Sequence, residues 1–144
     1  DDIWLENKLE KQISILESTE HKFSSTEGYF GEGSFNENNT YQLFNKEKYF
    51  KDIKYKYRIT EYLKGDLFPN VWDRGFLDIH NCVITSSVVV EKKIFDVLGG
   101  FRGLPLWADY DCWKGLITLT SLIYLDEPLF YYDGKHGDGR EYYK

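Results

Sequence analysis

Two places in the chain bring carboxylates together where they could do chemistry. Asp1 and Asp2 precede Ile3-Trp4-Leu5 at what reads as a strand-to-helix corner. Adjacent hard oxygen donors at such a corner can hold a divalent cation. They can equally serve as a helix cap that suits the positive end of the dipole. Asp109 and Asp111 lie in Trp107-Ala108-Asp109-Tyr110-Asp111-Cys112-Trp113, just after Pro105 and at the start of a helical pattern. The positive end of a helix favours an ionised carboxylate at Asp109. Such a group at a cleft mouth can take a proton from an alcohol. Trp107 and Trp113 would offer apolar faces to a sugar ring; the plainer alternative is a capped helix with two core tryptophans. His136 sits among glycines in Gly134-Lys135-His136-Gly137, where it can reach a metal, and Lys135 and Arg140 can meet phosphates. The alternative there is an exposed tail.

The elements that must position these residues alternate in type. Leu5, Leu9, Ile13 and Leu16 recur at helical spacing and predict a helix over about 3–16 with Asp2 as its N-cap. Residues 22–30 read as a short strand. Residues 31–40 are Gly/Asn-rich and predict a surface loop. The charged, tyrosine-rich stretch 45–63 reads as helical in parts, and 71–77 as a short helix. VITSSVVV, 83–90, is the clearest strand, β-branched and continuous as if covered on both faces. A short helix over 91–98 ends at Gly99-Gly100, and a second helix spans 110–119. Two strands, 121–125 and 129–132, flank Glu127-Pro128, and residues 133–144 read as a loop or tail. The alternation indicates an α/β layered fold, with more strands needed than this chain offers.

Composition narrows the function. The 144 residues carry a net charge of −6, and acidic residues interleave with the lysines between Lys46 and Lys64. That disfavours a nucleic-acid partner and makes the lysine run a solvated face, with anionic-lipid contact a lesser reading. Aromatic residues reach 18%, which suits flat amphipathic ligands as well as a core. The two cysteines, Cys82 and Cys112, have neither zinc-site nor disulfide spacing and read as reduced, buried thiols. No apolar run approaches the roughly 18 residues of a membrane span. A chain opening at Asp1, with no Met anywhere, reads as a fragment or the mature end of something longer.

The order of the motifs resembles glycosyltransferase family 2. Asp1-Asp2-Ile3-Trp4-Leu5 followed by Lys8-Leu9-Glu10-Lys11-Gln12 is similar to the second half of that family's acidic motif and its following helix. Ser86-Ser87, Phe95 and Gly99-Gly100-Phe101 resemble its paired serines, short helix and Gly-Gly-Phe turn. Asp109-Tyr110-Asp111-Cys112-Trp113 resembles its Glu-Asp-Tyr-Asp-x-Trp motif, and residues 124–132 its Tyr-x-x-Glu-Pro-Leu stretch. The likeness covers 1–16 and about 81–140; residues 31–75 are a family-variable insertion in what is otherwise one domain.

The resemblance implies the C-terminal, acceptor-side portion of a GT-A-type domain: a mixed sheet with flanking helices, the nucleotide-binding half absent. It implies an inverting transferase that moves a sugar from a nucleotide-diphosphate donor to a glycan or lipid-linked acceptor. Asp109 would be the general base. Asp1 and His136 would hold Mg²⁺ or Mn²⁺ on the donor diphosphate, and Asp2, Arg102, Trp107, Asp111 and Trp113 would bind substrate. Ala108 stands where the family has Glu, so help from that neighbour is missing. Without the donor-binding strands, the chain alone is expected to turn over little. A cytoplasmic location at the inner face of the membrane, peripheral membrane contact and self-association through an exposed sheet edge are further expectations. Two other classes compete: a non-catalytic carbohydrate-binding module built on aromatic faces, and a scaffold whose acidic pairs are only caps.

Overall fold

A computed structural model describes residues 2–135. In chain order the elements are β1 (Ile3–Trp4), α1 (Lys8–Glu17), β2 (Phe23–Gly31), β3 (Gln42–Leu43), α2 (Phe50–Lys56), β4 (Val71–Trp72), α3 (Arg74–Ile79), β5 (Val89–Val90), α4 (Lys92–Leu98), α5 (Ala108–Leu119) and β6 (Leu122–Asp133). The protein is α/β, with one mixed sheet flanked by helices. β2 and β6 run parallel at its centre. Four two-residue strands pair antiparallel at the corners: β1 and β4 on β6, β3 and β5 on β2.

Side chains alternate across a strand, so Phe23 and Ser24 face opposite sides of the sheet. Phe23 joins a large core with Trp72, Phe76, Leu116, Leu122 and Tyr124, covered by α2, α3 and α5. Trp72 is the hub. Its ring stacks on Tyr124 at 4.4 Å and meets Phe76 at 4.6 Å, and its indole N–H donates to the Pro69 carbonyl. α1 packs on the opposite face, against β2, β5 and β6, and here the structure corrects the reading of the leucine stripe. Lys8 and Gln12 are the buried residues of α1, while Leu9 and Ile13 are exposed. The reason is the polar sheet face. Gln12 Nε2 donates to Ser24 Oγ at 3.2 Å and to the Ser87 carbonyl at 2.8 Å, so the helix turns its polar side inward.

Three further readings are corrected. The helix expected over 3–16 starts only at Lys8; Ile3 and Trp4 instead pair with Tyr131 and Phe130, so Asp2 precedes a strand and caps nothing. The strand expected over 83–90 survives only as Val89–Val90. Ser87 Oγ and Ser87 N both bond the Ile84 carbonyl, and these local bonds wind Thr85–Ser87 into a helical turn. The helix expected over 71–77 begins at Arg74, where the Asp73 carboxylate caps it by accepting from Phe76 N.

The two strands expected around Glu127-Pro128 are one twelve-residue strand. Pro128 falls opposite Glu27, where the register with β2 shifts on either side, the kind of bulge at which a strand takes a proline. The bulged Asp126 and Glu127 pair with Lys46 and Lys11. Gly28 lies under Phe130, whose ring would sit 2.3 Å from any added Cβ. Gly99 takes φ 94° and ends α4. The 31–40 loop is fastened down: Gly33 N donates to Asp133 Oδ1, Gly134 N to the Gly31 carbonyl, and Tyr131 OH to the Gly33 carbonyl.

Candidate functional site

The 85–87 turn is where the separate acidic motifs meet. Its first hydroxyl, Thr85 Oγ1, donates to Asp109 Oδ2 at 3.2 Å. The next hydroxyl, Ser86 Oγ, donates to Asp2 Oδ2. The Ser86 carbonyl accepts the Trp4 indole N–H at 2.8 Å. Consecutive Cα atoms are about 3.8 Å apart, so neighbouring residues of one turn bond the Asp2 carboxylate and the first-turn carboxylate of α5. Asp109 is half-buried, and its position on α5 leaves it pointing at this turn rather than into the core.

Asp2 is the hinge to a second carboxylate. Its Oδ1 accepts from the Asp133 backbone N–H at 3.1 Å, which brings the end of β6 beside the start of β1. Asp133 Oδ1 in turn accepts from Gly33 N and Lys135 N, both at 2.8 Å. The amides of Lys135 and Gly33 hold the Asp133 carboxyl below the usual carboxylate range. Asp1 and His136, the two metal ligands expected from sequence, lie outside the described residues. Among the described residues no group of three His, Cys, Asp or Glu side chains converges.

On the other side of α5 lies a cleft of about 630 Å³. Arg102 grips Asp111 with two bonds, Nε to Oδ2 at 2.9 Å and Nη2 to Oδ1. That hydrogen bonding holds the Asp111 carboxyl below its ordinary range and raises the Arg102 guanidinium. Trp107 stands at the cleft with 61% of its surface exposed. Its φ of 63° is left-handed, a strained conformation for a bulky residue. Its carbonyl accepts from Asp111 N, starting α5. Trp113 is not at the cleft. It is 2% exposed and packs against Phe23 and Phe101, so of the two flanking tryptophans one is core.

Arg102, Trp107 and Asp111 therefore share one cleft, and Asp2 and Asp109 share the neighbouring turn. Sequence reading missed Thr85, which holds Asp109, and Asp133, which it placed in the tail. The paired-serine motif pointed to Ser86 but gave it no role. Glu27 was also missed: it is 1% exposed, and its carboxylate accepts from the amides of Gly28, Asn45 and Lys46. Burial pushes its carboxyl up against the pull of those amides. Burial likewise pushes the Cys82 thiol up to about 12 and Cys112 up to about 11, which disfavours the thiolate in both.

No family model matches this chain, and no curated protein and no solved structure matches it either.

Proposed function

We propose that this chain is the acceptor-side portion of an inverting, metal-dependent glycosyltransferase of the GT-A type, related to family 2. The observation that carries the reading is the Thr85-Ser86 dipeptide, which bonds Asp109 with one hydroxyl and Asp2 with the other. A scaffold with two independent helix caps has no use for that link, and Asp2 caps no helix here.

In this reading Asp109 accepts the proton of the acceptor hydroxyl as the oxygen attacks the anomeric carbon, and a single displacement inverts that centre. Thr85 orients the carboxylate. Trp107 provides a ring face for the acceptor, and the Arg102–Asp111 pair fixes the loop that presents it. Asp1 and His136 are the proposed ligands of Mg²⁺ or Mn²⁺, with Asp2 and Asp133 as the described carboxylates of that end of the sheet. The cation, when bound, neutralises charge on the departing nucleoside diphosphate.

The test is Asp109→Asn in the natural gene product, assayed for sugar transfer from a panel of nucleotide-sugars. Transfer should fall by about a hundredfold or more with the circular dichroism unchanged. Full activity in the variant rejects the base assignment. A carbohydrate-binding module has one observation in its favour, the exposed ring of Trp107. It predicts saturable glycan binding that a chelator leaves untouched.

A further inference from the structure

α1 breaks the ordinary rule for a helix on a sheet. Lys8 and Gln12 are buried, while Leu9 and Ile13, each the next residue along, face solvent. Turning the helix by one residue, about 100°, would exchange the two pairs. The observed choice is costly. Lys8 Nζ and Gln12 Oε1 have no hydrogen-bond partner among the described residues. A buried polar group without a partner lowers stability. Local choices that oppose stability concentrate where a fold serves a site.

What the polar side of α1 holds is the backbone of the Thr85–Ser87 turn. Gln12 Nε2 donates to the Ser87 carbonyl at 2.8 Å, and its bond to Ser24 Oγ at 3.2 Å ties the same side chain to β2. The preceding carbonyl, that of Ser86, accepts the Trp4 indole N–H at 2.8 Å. Lys8 Nζ sits 4.0 Å from the centre of the Trp4 ring, so α1 also packs on the residue that makes this bond. Two successive carbonyls of one turn are therefore fixed from outside it, by side chains of β1 and α1. Within the turn, Ser87 N and Val88 N donate to the Ile84 and Thr85 carbonyls. Peptide units are planar, so these four bonds together leave Thr85 and Ser86 little freedom. The hydroxyls of those two residues are the ones that donate to Asp109 and Asp2.

We propose that Trp4 and Gln12 are positioning residues: they grip the Ser86 and Ser87 carbonyls and so aim the Thr85 and Ser86 hydroxyls at Asp109 and Asp2. The catalytic consequence rests on the transfer reading; the geometric one does not. An apolar side chain at position 12 would be easier to bury but would leave the Ser87 carbonyl without its outside donor.

The test compares Gln12→Met and Trp4→Phe with the wild-type chain by amide hydrogen exchange, followed residue by residue by NMR. Gln12→Met keeps the length of the side chain and removes its N–H₂. Trp4→Phe keeps a ring for Lys8 and removes the indole N–H. The reporters are the amides of Ser87 and Val88, which close the turn, and of Asp133, which donates to Asp2 Oδ1. Each variant should speed exchange at the reporters about tenfold, the effect of one lost hydrogen bond. The core amide of Tyr57, which donates to the Ile53 carbonyl, should change far less. Wild-type exchange at the reporters overturns the proposal. Acceleration no greater there than at Tyr57 makes both residues plain stabilising ones and overturns it too.

In the natural gene product either change should lower kcat about tenfold and leave KM near the wild-type value. In a Thr85→Val background, where Asp109 has already lost its link, the same changes should cost less. Fully additive losses in that cycle put Trp4 and Gln12 outside the route to Asp109 and overturn the proposal. The expected exchange pattern without sugar transfer by the natural gene product supports the grip on the turn and sinks the transfer reading alone. Transfer with wild-type exchange at the reporters sinks this proposal alone.

Discussion

Thr85 Oγ1 donates to Asp109 Oδ2 across 3.2 Å, and that bond locks the carboxylate of α5 to the turn that also holds Asp2. Thr85→Val keeps the shape and removes the donor. In the natural gene product, kcat should fall about tenfold or more, since a hydrogen bond to a charged group is lost. KM should stay near the wild-type value, and Thr85→Ser should restore kcat. A rise in KM alone would make Thr85 a binding residue and detach it from Asp109.

Trp107 is held at φ 63° with its ring in solvent. Glycine takes that conformation without the clash that a Cβ brings. Trp107→Gly should therefore raise stability by up to about 1 kcal/mol. Urea denaturation reads the change, and a lower midpoint in the variant would remove the claim of strain.

Glu27 is a buried carboxylate tied to three amides on two segments, β2 and the turn at Asn45–Lys46. Glu27→Gln puts an amide N–H₂ where an acceptor is needed. The unmatched donors should cost about 1–3 kcal/mol, read as a lower urea midpoint. An unchanged midpoint would mean that water replaces the lost bonds.

Lys8 is buried with no hydrogen-bond partner for Nζ among the described residues, and burial lowers its ammonium from 10.5 to about 8. The Trp4 ring, 4.0 Å from Nζ, offsets part of the cost. Below pH 8 both folded and unfolded chains carry the charge, so the folded state bears the whole desolvation penalty. Between pH 8 and 10.5 the folded chain releases its proton while the unfolded chain keeps it, and stability rises with pH. Lys8→Met should be more stable at neutral pH and should lack that rise. Thermal melts of both proteins across the window decide it; equal slopes would show that Lys8 is solvated.

The sequence made the elements with strong local signals readable. The Gly99 stop, the helix carrying Asp109 and the strand from Phe23 all stand close to where their residues put them. Reading failed where a side chain bonded its own backbone or a distant partner. Ser87 turned a β-branched run into a helical turn, and Gln12 turned a leucine stripe outward because Ser24 offered it a bond. Asp109, Arg102, Trp107 and Asp111 were visible as candidates, but the link that joins Asp109 to Asp2 was not. Thr85 has no motif of its own, and its partner lies on α5, far along the chain. Trp113 looked equivalent to Trp107 in sequence; only packing against Phe23 separates them.

The parallel ladder between β2 and β6 joins Phe23 to Leu122, partners separated by most of the chain. Such distant pairing makes folding slow, because the closure entropy is spent before any ladder contact forms. On the ribosome, β2 must wait until residues 32–121 have been synthesised before β6 follows. Its middle, buried on both faces once folded, is Ser24, Ser25, Thr26 and Glu27 rather than a run of valines. A hydrophilic central strand is poorly suited to cross-β stacking with another nascent chain. The polarity of β2 thus leaves the unpartnered strand with little of the apolar surface that cross-β stacking uses.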